Sequence, residues 1–253
     1  MEERDKITIV GAGPGDPELI TLKGKRALEE ADLILYTGSL INPQILSEAK
    51  ADLRDSSGLA LEEMIEVMSR FVGEGKKVVR LHDGDPSLYG AIQEEVDELK
   101  KKGIECDIIP GVSSLFASAA AIKKELTLPG VSQTVIITRA PGRTPGITEE
   151  EFVSLLKERG TFAIFLSSGM MDRVASCLRE AGRSEEDEVA VVYKASWPEQ
   201  EIIMGKVKDI ASKVKERGIK KSAIIIVGDI FRSENFRSKL YDKNFSHGFR
   251  EAI

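Results

Sequence analysis

Short aliphatic runs alternate with longer amphipathic stretches along the first half of the chain. The aliphatic runs are continuous, a pattern typical of strands that are buried on both faces of a sheet. The stretches between them carry apolar residues at helical spacing. This order predicts a parallel sheet with helices on both faces. The predicted strands are 6–10, 33–36, 77–81 and 105–109, and the predicted helices are 17–31, 60–72 and 87–102.

The pattern breaks at 126–130 and then restarts. Two closely spaced aliphatic runs flank Trp197-Pro198 and predict a hairpin, so the second sheet is expected to be mixed. We therefore predict an α/β fold of two α/β domains with an active-site cleft between them. Residues 1–130 form a domain with a mainly parallel sheet and glycine-rich cofactor loops, and 131–253 form a domain with a mixed sheet and a polar tail.

Three Asx-Pro pairs predict the starts of helices, because the Asx side chain caps the first turn and proline suits the first helical position. These pairs are Asp16-Pro17, Asn42-Pro43 and Asp85-Pro86.

Composition limits the partners that the chain is expected to have. The net charge is −6, and no basic stripe with interleaved aromatic residues is present, so nucleic acid is not expected as a partner. Cys106 and Cys177 lie in no metal-ligand spacing, which predicts no metal site and fits a reducing cytoplasm. The longest aliphatic run, 223–227, is far shorter than the ~20 residues of a membrane helix.

A glycine-rich loop, 11–15, follows the first predicted strand, where open α/β sheets bind ligands. It is a poor dinucleotide fingerprint, because Asp16 stands where the third glycine belongs and Pro14 lacks an amide for a phosphate. A tight turn without a ligand remains an alternative.

Two further loops at strand ends carry candidate chemistry. Asp83 and Asp85 flank Gly84, and such carboxylates favour a cationic sulfonium compound over a polyphosphate. In the third loop, 110–114, Ser113 and Ser114 offer hydroxyl groups and amides. The alternatives are a capped helix after the second loop and simple close packing of the small residues after the third.

The three loops together resemble the tetrapyrrole methylases, in that family's order and spacing, and the resemblance covers 7–230. Within the family, the stretches 36–40, 81–90 and 125–140 are most similar to the members that methylate carbon 11 of precorrin-4 or cobalt-precorrin-4 in corrin synthesis. Asp83 stands where the uroporphyrinogen-III enzymes usually carry a second glycine. The resemblance implies a homodimer, a small-molecule tetrapyrrole substrate and S-adenosylmethionine as methyl donor, held between the two domains. The cofactor-binding residues that it implies are Pro14, Asp83, Gly84, Asp85, Leu88, Ser113, Ser114, Leu166, Ser167, Ala195 and Ala223.

A polycarboxylate macrocycle favours arginine contacts. Arg139 and Arg143 are our hypothesis for these contacts, with a solvated linker as the alternative, and Tyr36 and Ser39 are expected to face the ring. We assign no general base, since an electron-rich ring carbon attacks an activated methyl group; His82 is either a proton acceptor or a structural residue. The alternative functions are another methyltransferase of this fold, such as a diphthine synthase-like enzyme, a NAD-dependent oxidoreductase, and a non-catalytic sensing module.

Overall fold

The structure, a computed structural model, describes residues 6–232, 242–246 and 248–251, without the side chain of Ser39. Internal contacts divide the chain into two compact units. The first unit comprises Met1–Ser118 and Lys194–Gln200, and the second comprises Ala119–Tyr193 and Glu201–Ile253. In the described residues, no helix is both long enough and apolar enough to cross a membrane.

The first unit contains a five-stranded sheet in the order β3-β2-β4-β1-β5, and every neighbouring pair is parallel. Its strands are β1 (Lys6–Gly11), β2 (Leu33–Tyr36), β3 (Asp52–Asp55), β4 (Val78–His82) and β5 (Glu105–Ile109). Its helices are α1 (Leu22–Glu30), α2 (Leu61–Gly73), α3 (Ile92–Lys101) and the first turns of α4 (Ser114–Ala121).

Both faces of this sheet are buried, as the continuous aliphatic runs predict. One face packs Val10, Ile34 and Leu81 against α1 residues such as Leu28. The opposite face packs Ile7, Leu33 and Leu35 against α2 and α3, through residues that include Met68 and Leu99. Because all five strands are parallel, their carboxyl ends lie at one edge of the sheet, where the predicted loops follow.

The second unit contains a mixed sheet in the order β6-β7-β10-β8-β9. β6 and β7 are parallel, whereas β10 is antiparallel to both neighbours and β8 and β9 form the predicted antiparallel pair. The strands are β6 (Val135–Arg139), β7 (Thr161–Phe165), β8 (Glu188–Tyr193), β9 (Glu201–Lys206) and β10 (Ala223–Gly228). The helices are α5 (Glu149–Leu156), α6 (Met171–Glu180) and α7 (Ile210–Glu216). The predicted fold class, two α/β domains with one parallel and one mixed sheet, is confirmed.

Two predicted helices begin later than expected, and one strand was missed. The helix predicted over 17–31 is a 3₁₀ turn, Pro17–Leu19, followed by α1, because the Thr21 hydroxyl accepts a hydrogen bond from the Gly24 amide (3.1 Å) and starts a new helix. The helix predicted over 87–102 begins only at Ile92, since the backbone takes positive φ at Tyr89 and Ala91. Strand β3 was missed because it is an edge strand with a single apolar residue, Leu53.

The Asx-Pro pairs open tighter structures than α-helices. Asp16 and Asn42 cap 3₁₀ turns by accepting hydrogen bonds from the amides two residues later. Asp85 accepts from the Ser87 amide in the same way (2.9 Å), but a turn and no helix follows it. The capping chemistry was predicted correctly at all three pairs, and the α-helices were not.

Candidate functional site

The loops after β4, β1 and β5 meet at the carboxyl edge of the first sheet. These three strands are neighbours in the sheet, so their ends are adjacent. The Gly84 amide donates to the Gly13 carbonyl (2.9 Å), and the Gly13 amide donates to the Gly84 carbonyl (3.2 Å). The glycine loop and the carboxylate loop are thus joined directly through their backbones.

The third loop closes on the same point at Gly111. A Cβ atom at Gly111 would lie 2.1 Å from the Gly84 carbonyl oxygen and 2.9 Å from the Cα of Gly11. No side chain fits there, because all three neighbours are backbone atoms. The sequence therefore has glycine at Gly11 and Gly111, where a side chain would strike the neighbouring backbones.

Asp85 holds the second loop to the third. One oxygen of its carboxylate accepts from the Gly111 amide (2.9 Å), and the other accepts from the amide and hydroxyl of Ser87. Burial raises the pKa of Asp85, but the hydrogen bonds from Ser87 and Gly111 outweigh that effect and lower the pKa. Asp85 is therefore a charged brace of the loops in this structure.

Asp83 is placed differently from Asp85. Its surface is open to solvent, yet surrounding atoms partly desolvate the carboxylate, and this desolvation raises the pKa of Asp83. A cationic ligand stabilises the charged form of a carboxylate that water solvates only in part. The structure thus presents one carboxylate, Asp83, beside the open backbone of Gly84.

The remaining predicted residues of the first unit lie in or beside these loops. Ser113 is buried, and its hydroxyl accepts from the Leu115 amide (3.3 Å) at the start of α4. Ser114 and Leu88 are half-buried. The hydroxyl of Ser113 is thus engaged in capping, and Ser114 is the more accessible of the two serines.

Residues 194–200 contact the glycine loop and hold it in place. The sequence did not predict this contact. The indole Nε1 of Trp197 donates to the Pro14 carbonyl (2.8 Å), and the Asp16 amide donates to the Ser196 hydroxyl (3.0 Å). The Trp197 ring packs on Gly15, and the predicted cofactor residue Ala195 is buried in the same segment. The signal in the sequence was a lone tryptophan in a Pro-containing turn.

Asn42 has a second role beyond capping. Its buried side-chain amide donates to the Gly15 carbonyl (2.8 Å), while its oxygen accepts from the Gln44 amide (3.1 Å). The carbonyls of Pro14 and Gly15 are therefore both fixed by side chains that are distant in sequence. This fixes the shape of the glycine loop before any ligand binds.

Tyr36, which is predicted to face the ring substrate that accepts the methyl group, is the last residue of β2. Strand β2 lies next to β4 in the sheet. The Tyr36 carbonyl accepts from the amide (2.8 Å) and the hydroxyl (3.0 Å) of Ser56. The Tyr36 side chain is half-buried. The Ser39 side chain lies outside the described part of the chain, so its predicted contact stays a prediction.

His82 lies behind the loops and is only 4% exposed. Its Nε2 atom is 3.6 Å from the carboxylate of Glu95, which in turn pairs with Arg80 (3.0 Å). A side chain buried in this way is placed for a structural role and not for proton transfer to a solvent-facing ligand.

In the second unit, the predicted residues gather at one edge of the sheet. The buried hydroxyl of Ser167 accepts from the Ala140 amide (2.8 Å) and donates to the Phe165 carbonyl (2.6 Å), so it joins the ends of β6 and β7. Leu166, between them, has a φ of 53° and is 63% exposed. Ala223 begins β10 at this edge, two residues before Ile225, which pairs with Ile164.

The two predicted arginines of the second unit differ in their surroundings. The Arg139 guanidinium donates to the Thr144 hydroxyl (2.8 Å) and to the carbonyls of Thr144 and Pro145. It therefore holds its own loop. Arg143 lies in that loop and is exposed, so it is the better placed of the two for a carboxylate ligand.

A cavity of about 370 Å³ lies elsewhere in the first unit, between α1 and the 3₁₀ turn Pro43–Leu46. Its lining residues include Ile20, Leu28 and Ile45, and none of the predicted site residues. The loop chemistry, and not this cavity, marks the candidate site, because the predicted site residues of the first unit lie in or beside the loops and none of them lines the cavity.

The carboxyl edge of a parallel sheet, where these loops touch through glycines, is the place where open α/β proteins bind small ligands. The family model of the tetrapyrrole (corrin/porphyrin) methylases matches residues 6–211, and the chain belongs to this family, whose members are methyltransferases.

Three known proteins show how close the match is. The chain is 57% identical over 255 residues to a cobalt-precorrin-4 C(11)-methyltransferase of Methanocaldococcus jannaschii, which covers 100% of this chain and 98% of the relative. The X-ray structure of a cobalamin biosynthetic enzyme, the cobalt precorrin-4 methyltransferase CbiF, has a TM-score of 0.86 at 46% identity, over 89% of this chain and 95% of that one. A uroporphyrin-III C-methyltransferase from Thermus thermophilus, complexed with S-adenosylhomocysteine, has a TM-score of 0.76 at 26% identity, over 91% and 96% of the two chains.

Proposed function

We propose that this chain transfers the methyl group of S-adenosylmethionine to carbon 11 of cobalt-precorrin-4 in corrin synthesis. The observation that carries the proposal is the 57% identity, over the whole chain, to a relative that is named for this reaction. The similarity in structure to CbiF is consistent with it. We infer the cobalt in the substrate ring from the names of these two relatives.

The loops of the first unit fit the methyl donor. A Cβ atom at Gly84 would meet no atom closer than 3.9 Å, so a ligand can approach this backbone. Asp83 supplies a carboxylate for a cationic ligand, and Pro14 has no amide for a phosphate. The donor product in the Thermus thermophilus relative supports the assignment.

The bound donor supplies a methyl group that its positively charged sulfur already activates. The ring carbon attacks this methyl group in line as the sulfur–methyl bond breaks, and the bonding electron pair remains on sulfur. The task of the chain is therefore to orient and to exclude water. Orientation of two bound reactants contributes roughly 7–11 kcal/mol to such reactions, which is why a fixed loop framework serves better here than a strong base.

We assign Tyr36, Ser39 and Arg143 to the ring substrate, and Leu166, Ser167, Ala195 and Ala223 to the adenosine part of the donor. Arg143→Ala is the clean test of a carboxylate contact, because Arg139→Ala also releases the loop that Arg139 holds. We expect the KM for the ring to rise about tenfold in Arg143→Ala. An unchanged KM leaves this contact without support.

The reaction is tested with the purified chain, a methyl-labelled donor, and either cobalt-precorrin-4 or precorrin-4. We expect mass spectrometry to show the gain of one labelled methyl group on the cobalt-containing ring, at a higher rate than on the metal-free ring. A higher rate on the metal-free ring would reverse the cobalt assignment. Binding of NADH without binding of S-adenosylhomocysteine would favour the oxidoreductase.

We also propose that the chain works as a homodimer in the cytoplasm, an expectation that comes from the family resemblance. Light scattering should then give about twice the 27.7 kDa mass of the chain. A mass of one chain at micromolar concentration would contradict it.

A further inference from the structure

The buried polar cluster behind the loops contains a charged pair that is unusual for a sheet core. Arg80 lies in the central strand β4, and Glu95 lies on α3; each is 4% exposed. The surrounding face of the sheet is otherwise packed with residues such as Leu33, Leu35 and Leu99. A buried ion pair is a poor source of stability, because desolvation offsets most of its attraction. Its presence therefore points to another role.

All five N–H groups of the Arg80 guanidinium are used, and they reach different elements. Nε and Nη2 donate to the Glu95 carboxylate (3.0–3.2 Å). Nη1 donates to the Leu35 carbonyl (3.3 Å) and the Ser56 hydroxyl (3.1 Å), and Nη2 also donates to the Thr37 hydroxyl (3.3 Å). One planar group thus connects α3, β2, and the segments after β2 and after β3.

On the acceptor side, these bonds fix the segment that carries Tyr36. The Ser56 hydroxyl, which accepts from Arg80, donates to the Tyr36 carbonyl (3.0 Å). The Gly38 amide donates to the carboxylate of Asp55 (3.0 Å) in the same region. Arg80 therefore sets the position of the backbone from which Tyr36 projects.

On the methyl-donor side, Glu95 faces His82, the last residue of β4 before Asp83 and Gly84. The His82 carbonyl accepts from the Ala12 amide (2.7 Å), so its position also bears on the glycine loop. β2 and β4 are neighbours in the sheet, and Arg80 lies opposite Leu35 in their register. The Arg80 guanidinium donates both to the Leu35 carbonyl and to the Glu95 carboxylate. The pair stands where the acceptor and methyl-donor segments adjoin.

We propose that Arg80 and Glu95 are positioning residues that hold the segment after β2 and the segment after β4 in fixed relative placement, so that the ring carbon and the methyl group are aligned. The inference rests on the proposed function and deepens it. Neither residue touches a reactant in this account. Both act through Thr37, Ser56 and His82.

The test compares the activity and ligand binding of the full-length wild type and its variants at a temperature well below the melting midpoint of each. Thr37→Val keeps the side-chain shape and removes one bond from Arg80, and Glu95→Gln removes the charge that both Arg80 and His82 face. Asp52→Asn is the control, because it breaks an Arg–Asp pair of the same unit that is exposed on β3. Three quantities are compared: kcat, the KM for cobalt-precorrin-4, and the Kd for S-adenosylhomocysteine.

We expect Thr37→Val to lower kcat or to raise the KM for the ring substrate roughly tenfold, because a small misplacement of a reactant lowers rates steeply. The Kd for S-adenosylhomocysteine should stay unchanged. Glu95→Gln should change both the ring parameters and the Kd. Asp52→Asn should change none of them. If both variants lower only the melting midpoint and keep all three quantities, the pair is merely structural and the inference is wrong.

If Glu95→Gln does not fold, Thr37→Val decides alone, and wild-type parameters in that variant overturn the inference. Failure of the wild-type chain to bind S-adenosylhomocysteine or to methylate the ring is a separate result. It refutes the proposed function and not the connection between the two segments.

Discussion

The indole N–H of Trp197 donates to the carbonyl of Pro14, 183 positions earlier in the chain, at 2.8 Å. This bond fixes the glycine loop from outside the β1–α1 connection. Trp197→Phe keeps the aromatic packing on Gly15 and removes the bond. We expect the Kd for S-adenosylhomocysteine to rise roughly fivefold to tenfold, as for the loss of about 1–1.4 kcal/mol. Calorimetric titration with S-adenosylhomocysteine measures this Kd.

Trp197 also provides an internal check, because it is the single tryptophan of the chain. Its emission should change on addition of S-adenosylhomocysteine and saturate with the calorimetric Kd. If emission is constant while calorimetry shows binding, the glycine loop is not part of the binding site.

Gly84 combines a left-handed backbone with open space. Its φ is 59°, and an added Cβ would meet no atom within 3.9 Å. Gly84→Ala should therefore lower the free energy of unfolding by only about 1–2 kcal/mol, the strain of a left-handed alanine. Gly103→Ala is the matched control, since Gly103 has a φ of 77° and no neighbour within 4 Å.

Urea unfolding should show similar losses for the two alanine variants. Only Gly84→Ala should weaken the binding of S-adenosylhomocysteine, because its methyl group occupies the space that we assign to the ligand. Equal, wild-type affinity in both variants would place the ligand elsewhere.

Asp83 makes a prediction about pH. Its pKa is raised in the folded chain, chiefly by desolvation, so its negative charge destabilises the folded state at pH values above the folded pKa. The penalty disappears as the pH falls through the folded pKa toward the ordinary aspartate value, about 3.9. Asp83→Asn should therefore melt higher than wild type at pH 7, and the difference should fade on acidification.

The matched control is Asp107→Asn, which changes an exposed carboxylate on β5 of the same unit. Asp83→Asn should also weaken the binding of the cationic methyl donor, whereas Asp107→Asn should not. A melting difference for Asp83→Asn that grows as the pH falls would contradict the account.

Ser167, in the second unit, is predicted to contribute to the free energy of unfolding. Its hydroxyl is buried and satisfies the Ala140 amide. Ser167→Ala should lower the free energy of unfolding by about 1–3 kcal/mol, the cost of a buried donor without a partner. Ser118→Ala is the control, because the Ser118 hydroxyl is also buried but has no hydrogen-bond partner in the described residues. Urea unfolding should show little loss for Ser118→Ala; a loss as large as that of Ser167→Ala would contradict this interpretation.

The sequence predicted the features that depend on local pattern. Continuous aliphatic runs located four of the five parallel strands, and the close pair of runs around Trp197 located the antiparallel hairpin. The three loops were found because glycine and Asx-Pro chemistry is local. Their convergence followed from parallel strands, whose carboxyl ends share an edge.

The sequence could not predict the contacts that join distant segments. Nothing near Trp197 or Ser196 indicates that they contact Pro14 and Asp16. Arg80 and Glu95 resemble ordinary polar positions in a strand and a helix, and only the folded structure brings their side chains together as a buried pair. Asp85 was expected at the ligand, which stays a prediction, but the hydrogen bonds that its carboxylate accepts from Ser87 and Gly111 were not foreseen.

The position of the transferred methyl group tests the central claim most directly. Cobalt-precorrin-4 is incubated with the chain and with donor that carries a ¹³C-labelled methyl group, and the product is examined by NMR. We predict a single new methyl signal whose couplings place it on carbon 11. A label on any other ring carbon, or an unlabelled ring with active donor present, would contradict the account.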